Sequence, residues 1–267
     1  MRRLAAALTT ATLVAAAGML GATTASAAGT GAVYVVHGIP DTPVDVYVDG
    51  TLAIDDFDPL TVQGPIDLPA GDHEIALTAA DAADASSPVL SGTATIPDGG
   101  NVSLVAHLSA AGEPALTPFV NDVAAVPAGQ ARLVVRHTAA APAVDIRAGG
   151  EVVLADVTNP NEGALEVPAG TISADVVLAG TDTVAIGPAD LTLAEGTATF
   201  VHAVGSADAG DLGLVSFTIS GLGSAPSGVP AGSGPMESAL PTVLLVLALT
   251  TGAGLIVVSG RRLVRSR

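Results

Sequence analysis

Cysteine, tryptophan and lysine are absent from the 267 residues, and the aromatics amount to two Tyr and four Phe. Without cysteine there is no disulfide framework, no thiolate metal site and no Cys nucleophile. Without lysine there is no phosphate-binding Gly-x-x-x-x-Gly-Lys loop. So few aromatics leave little with which to build the platforms that sugar sites use. Basic residues are scarce as well. Nine arginines face 26 acidic residues, and the net charge of −17 argues against a nucleic-acid partner, which needs a basic face to neutralise phosphates. No Gly-x-Ser-x-Gly nucleophile elbow occurs.

What is abundant is aliphatic. The apolar fraction is 49% against 13% charged, enough to build cores rather than a disordered chain. At this length one or two domains are expected.

The two ends carry their own signals. Met1-Arg2-Arg3, an Ala/Leu/Val-rich run and Ala25-Ser26-Ala27 make the basic, apolar and small-x-small order of a secretory signal peptide, so residues 1–27 are predicted to be removed. Arg2-Arg3 lacks the flanking residues of a twin-arginine signal, which favours the general export route. Residues 239–259 hold no charge and, as a helix, would reach about 30 Å, a bilayer core. Arg261, Arg262, Arg265 and Arg267 follow at once. Positive residues stay inside, which predicts a single-pass type I transmembrane helix with residues 260–267 in the cytoplasm. Leu240-Pro241-Thr242-Val243-Leu244 departs from the Leu-Pro-x-Thr-Gly wall-sorting signal, so a retained anchor is expected rather than sortase attachment.

Between the ends the chain repeats itself at an offset of one hundred residues. Val33–His37 meets Leu133–His137, Val44-Asp45-Val46 meets Val144-Asp145-Ile146, and Ile54-Asp55-Asp56 meets Leu154-Ala155-Asp156. Leu68–Gly71 meets Val167–Gly170 one deletion later. Ordered matches of this kind indicate two copies of one unit, 29–128 and 129–221. Short alternating runs such as Val44–Val48 end in turn formers such as Asp49-Gly50, where a type I′ turn needs φ > 0. Turn signals recur about every 8–15 residues, and no long stretch of helical periodicity appears outside the two ends. The expected fold is all-β: two tandem immunoglobulin-like antiparallel β-sandwiches of about seven strands each, with aliphatic cores that take in most of the Tyr and Phe residues. The Trp and Cys pair of antibody domains is absent, so the likeness is to the general architecture. Residues 222–238, rich in Gly, Ser and Pro, read as a flexible linker to the membrane.

Val33–Gly38, the block Pro43–Gly50 and Leu68–His73 together resemble the family of domain of unknown function 4397 (DUF4397) over residues 32 to 122, with a looser second copy. The resemblance implies an exported bacterial protein, often from high-GC Gram-positive species. It carries no catalytic residue over, because the family has no established activity.

All 26 acidic residues fall between Asp41 and Glu237, against Arg132, Arg136 and Arg147, a net charge of −23 for that part of the chain. Asp55-Asp56-Phe57-Asp58 is the densest acidic cluster. Carboxylates suit Ca²⁺, although no EF-hand spacing is present. His37 and His137 are repeat equivalents at strand ends, which points to a structural role in bonding a turn. His73-Glu74 opens like a zinc-protease motif, but Leu77 stands where the second His belongs. No catalytic, cofactor-binding or metal residue is assigned, and no cofactor is expected. The expected function is a non-catalytic, membrane-anchored cell-surface protein that presents two acidic β-sandwiches for structural or adhesive interaction with an envelope or extracellular partner. A ligand-binding module for Ca²⁺, a glycan or an envelope component is the alternative.

Overall fold

Aliphatic–polar alternation cut by Gly, Pro and Asp turns produces sixteen strands and no helix in the computed structural model, which describes residues 29–224. The signal peptide, the transmembrane segment, the cytoplasmic tail and most of the linker lie outside the described residues. Among the described residues, no helix is long and apolar enough to cross a membrane.

The first eight strands are β1 (Thr30–His37), β2 (Val44–Val48), β3 (Thr51–Phe57), β4 (Thr61–Pro69), β5 (Gly71–Ala79), β6 (Leu90–Ile96), β7 (Asn101–Leu108) and β8 (Pro114–Val120). They form two sheets, β4-β1-β7-β8 and β3-β2-β5-β6. The second eight repeat the plan: β9 (Gln130–His137), β10 (Val144–Ala148), β11 (Glu151–Val157), β12 (Glu162–Pro168), β13 (Gly170–Leu178), β14 (Val184–Leu193), β15 (Ala198–Val204) and β16 (Gly213–Ile219). Their sheets are β12-β9-β15-β16 and β11-β10-β13-β14. Within each copy one core draws on both sheets. Val33, Val35, Leu104, Val46, Ile75 and Leu77 meet in the first, and Leu133, Val135, Val201, Ile146 and Val176 in the second. This is the face-to-face packing of a sandwich.

Three expectations about strands and linker need correction. Each copy has eight strands, not seven. β4 is the strand most easily missed, because Gly64-Pro65 interrupts it. Gly64 is required there: at φ 133°, a Cβ would lie 2.7 Å from the Val33 carbonyl oxygen on β1. The sheets are also not wholly antiparallel, since β1 pairs in parallel with β7, and β9 with β15. Finally, the linker is not free from its first residue. Leu222 packs on a small apolar cluster, and Val126, in the connector between the copies, bonds to Leu222 and Ser224 through backbone groups.

Most of the aromatics lie outside the two cores, contrary to expectation. Phe57 alone is in a core, whereas Tyr34, Phe119, Phe200 and Phe217 lie where the outer faces of β4-β1-β7-β8 and β12-β9-β15-β16 meet. Tyr34 stacks on Phe217 at 4.5 Å between centroids, and Phe217 stacks on Phe200 at 5.0 Å. Val36 and Val105 of the first copy pack there with Val204 and Val215 of the second. Arg136, fully buried, lies between the rings of Phe119 (4.5 Å) and Phe200 (4.9 Å).

Candidate functional site

Three groups of polar or concave features stand out, and the first is the set of histidines. At the end of β1, His37 donates from Nε2 to the Thr42 carbonyl at 2.7 Å and accepts at Nδ1 from Ile39 N–H at 3.4 Å. His137 does the same toward Pro142 (2.8 Å) and Ala139 (3.4 Å). Each ring therefore ties down the turn after its strand as a neutral imidazole, and burial pushes both below the usual histidine range. His107 donates from its ring into the Leu108 carbonyl and bonds Thr117. His202 is sealed in the seam with neither ring nitrogen partnered, and burial lowers its pKa to about 3. His73 differs. It donates to the Pro69 carbonyl (2.8 Å) and to the Asp49 carboxylate (2.7 Å), and these bonds raise its pKa.

The second feature is a cleft of about 210 Å³ between the sheets of the second copy, bordered by Ile146, Ala174, Val176, Ile186, Val201 and Leu214. It has a cause in the sequence. Ile75, Leu77 and Leu104 of the first core correspond by register to Ala174, Val176 and Val201. The first copy closes the same edge by resting Leu116 on Gly92, where an added Cβ would lie 3.3 Å from the leucine. The second copy has Ala189 in the place of Gly92. Leu214, the counterpart of Leu116, is held 43% exposed.

The third feature is the acidic cluster. Asp45, Asp55 and Asp56 each bring a carboxylate oxygen within 4.8 Å of the other two. Asp45 is buried on β2, whereas Asp55 and Asp56 are exposed at the bulged end of β3. Asp45 accepts the Asp56 N–H at 2.9 Å, and Asp56 adopts φ 48° to present it. The Asp56 carboxyl is pushed up, first by the charge of Asp81 and then by burial, Asp55, Asp45 and Asp58. Sequence reading placed the cluster at Asp55, Asp56 and Asp58. The structure keeps the first two and replaces Asp58 with Asp45. The signal for Asp45 was available: a carboxylate in an alternating strand, repeated at Asp145.

Residues 31–147 match the model of a domain of unknown function, DUF4397. The match begins in β1, takes in the rest of the first copy and ends in β10, so the acidic cluster and the His37 turn lie inside the DUF4397 segment while the cleft lies mostly beyond it. No curated protein matches the chain. Among solved structures, the Bacillus anthracis TIE protein aligns at 11% identity and a TM-score of 0.21 over 65% of this chain. The chain spans 33% of that protein's length. A likeness of that size carries no functional argument.

Proposed function

We propose that this DUF4397 protein is a non-catalytic, single-pass type I surface protein that presents two fused, acidic, immunoglobulin-like β-sandwiches outside the cell for structural or adhesive contact. The observation that carries the reading is where the positive charge goes. Arg132 pairs with Glu166 at 2.9 Å and Asp122 at 3.3 Å, Arg136 with Glu162 at 2.7 Å, and Arg147 with Asp175 and Asp182. Every arginine among the described residues is thus held by carboxylates of the protein itself. The charged groups left to meet a partner are almost all carboxylates, which keep neighbouring chains and anionic polymers apart and select cationic or neutral contacts.

The histidine geometry supports the non-catalytic part. Four of the five rings are tied into turns and strands or shut into the seam, and His73 is held by Asp49 and Pro69. Export and anchorage rest on the leader pattern of residues 1–27 and on the uncharged run 239–259 ahead of its arginines.

Protease shaving of intact cells tests the topology. Peptides from 29–221 should be released while membranes stay sealed; full protection of that region under the same conditions contradicts the reading.

A further inference from the structure

We propose that the first copy binds one hard divalent cation, Ca²⁺, through the carboxylates of Asp45, Asp55 and Asp56 and the hydroxyl of Thr78. The inference is independent of where the protein resides.

Thr78 supplies the observation that the carboxylates alone cannot. It stands directly opposite Asp45 in the β2–β5 ladder, so the two side chains lie side by side on the face turned away from the core. Both are buried there, Thr78 at 0% and Asp45 at 1% exposure. The segment between β5 and β6 folds over this face, held by the Tyr47 hydroxyl donating to Ala82. Within it the Thr78 hydroxyl has no hydrogen-bond partner. A buried hydroxyl left without a partner beside a carboxylate is unfavourable, and an oxygen-seeking ion placed there would satisfy both.

The charge balance points the same way. Residues 29–128 contain no arginine or lysine, so nothing in the first copy offsets the crowding of Asp45, Asp55, Asp56 and Asp81. The donor set is oxygen only, which suits a hard cation rather than a transition metal. Calcium–oxygen distances let two ligand atoms of one ion lie up to about 5 Å apart, and each of the three carboxylates brings an oxygen within that limit of the others.

The second copy acts as a built-in control. It keeps the buried aspartate and its backbone bond, Asp156 N–H to Asp145 at 2.7 Å. It has Ala155 in place of Asp55, Val177 in place of Thr78 and Gly180 in place of Asp81. The Gly180 N–H also fills the second oxygen of Asp145, at 2.9 Å. There the aspartate is fully used by the backbone and holds its charge comfortably, with its carboxyl lowered by those two bonds. The structural role of the aspartate is common to both copies, and the additional oxygens belong to the first alone. One ion per chain follows.

The test is calorimetric titration of CaCl₂ into the EDTA-stripped full-length chain, with thermal melts alongside. We expect one ion per chain and a higher melting temperature in Ca²⁺. Asp55→Ala and Thr78→Val install the residues of the second copy, and each should weaken binding at least tenfold. Asp55→Ala has a further signature. It should raise the melting temperature in EDTA, where it removes repulsion, and lower it relative to the wild type in Ca²⁺, where it removes a ligand. An Asp55→Ala chain more stable than wild type in both conditions marks a merely solvated acidic patch and overturns the proposal. So does the absence of heat and of any melting shift at about 10 mM Ca²⁺, above the range of weak extracellular modules, or equally tight binding of Mg²⁺.

Discussion

Arg136 of the second copy donates from Nη2 to Oδ1 of Asn121, at the end of the first copy, over 2.8 Å. Asn121 also accepts from Ser103 at 3.0 Å and donates to Asn101 at 2.6 Å. The guanidinium is thereby coupled to the first copy's sheet, while Glu162 balances its charge from the second. Removing the arginine takes one donor from Asn121 and empties the slot between Phe119 and Phe200, while Glu162, 37% exposed, is left to water. Arg136→Ala should cost about 2–5 kcal/mol in chemical denaturation, the range for emptying a buried slot, and Arg136→Met, which refills the slot with apolar volume, clearly less.

His202 sets one side of the pH dependence. Its folded pKa, about 3, lies below the ordinary value of 6.5, so it stays neutral in the fold and takes up a proton only on unfolding. Its contribution is intact above 6.5 and is lost as the pH falls from there toward 3. The expected loss between pH 7 and pH 5 is about 2 kcal/mol. His202→Val, which installs the residue found at Val105 in the first copy, should flatten the melting temperature over this interval. An unchanged slope would show that the seam admits protonated imidazole.

His73 works in the opposite sense. Its pKa is raised by the Pro69 carbonyl and by Asp49, so its contribution is complete below 6.5 and fades as the pH climbs through the raised value. His73→Gln should therefore lower the melting temperature more at pH 6 than at pH 9. Melts of both proteins at those two pH values decide it.

Filling the cleft should stabilise the second copy. Ala174→Ile restores the side chain that Ile75 supplies in the first core and adds three carbons to a space of about 210 Å³. A gain of about 1–2 kcal/mol is expected by denaturant titration. A loss would mean that Leu214 and Ile186 already relax into the gap.

The repeat and its turns were legible because they depend on local chemistry. Asp49-Gly50 takes up φ 50° and 76°, and Gly149-Gly150 takes up 59° and 88°, as a tight hairpin turn demands. Aliphatic alternation likewise found the strands that face a core. The seam was not legible, because Val36, Val105, Phe200 and Phe217 sit on faces that a lone sandwich would turn to water, and only docking of the copies covers them. In the acidic cluster, adjacency in the chain gave Asp55 and Asp56. The contributions of Asp45 and Thr78 come from β2–β5 pairing, which a single strand's pattern does not encode.

The attachment of Leu222–Ser224 to Val126 has a mechanical consequence. A pull on the chain at Ser224 does not peel β16 from its open end; it is delivered to the waist, where the two sandwiches join, through hydrogen bonds on both sides of Val126. Tension is shared by the joint before either sandwich bears it alone.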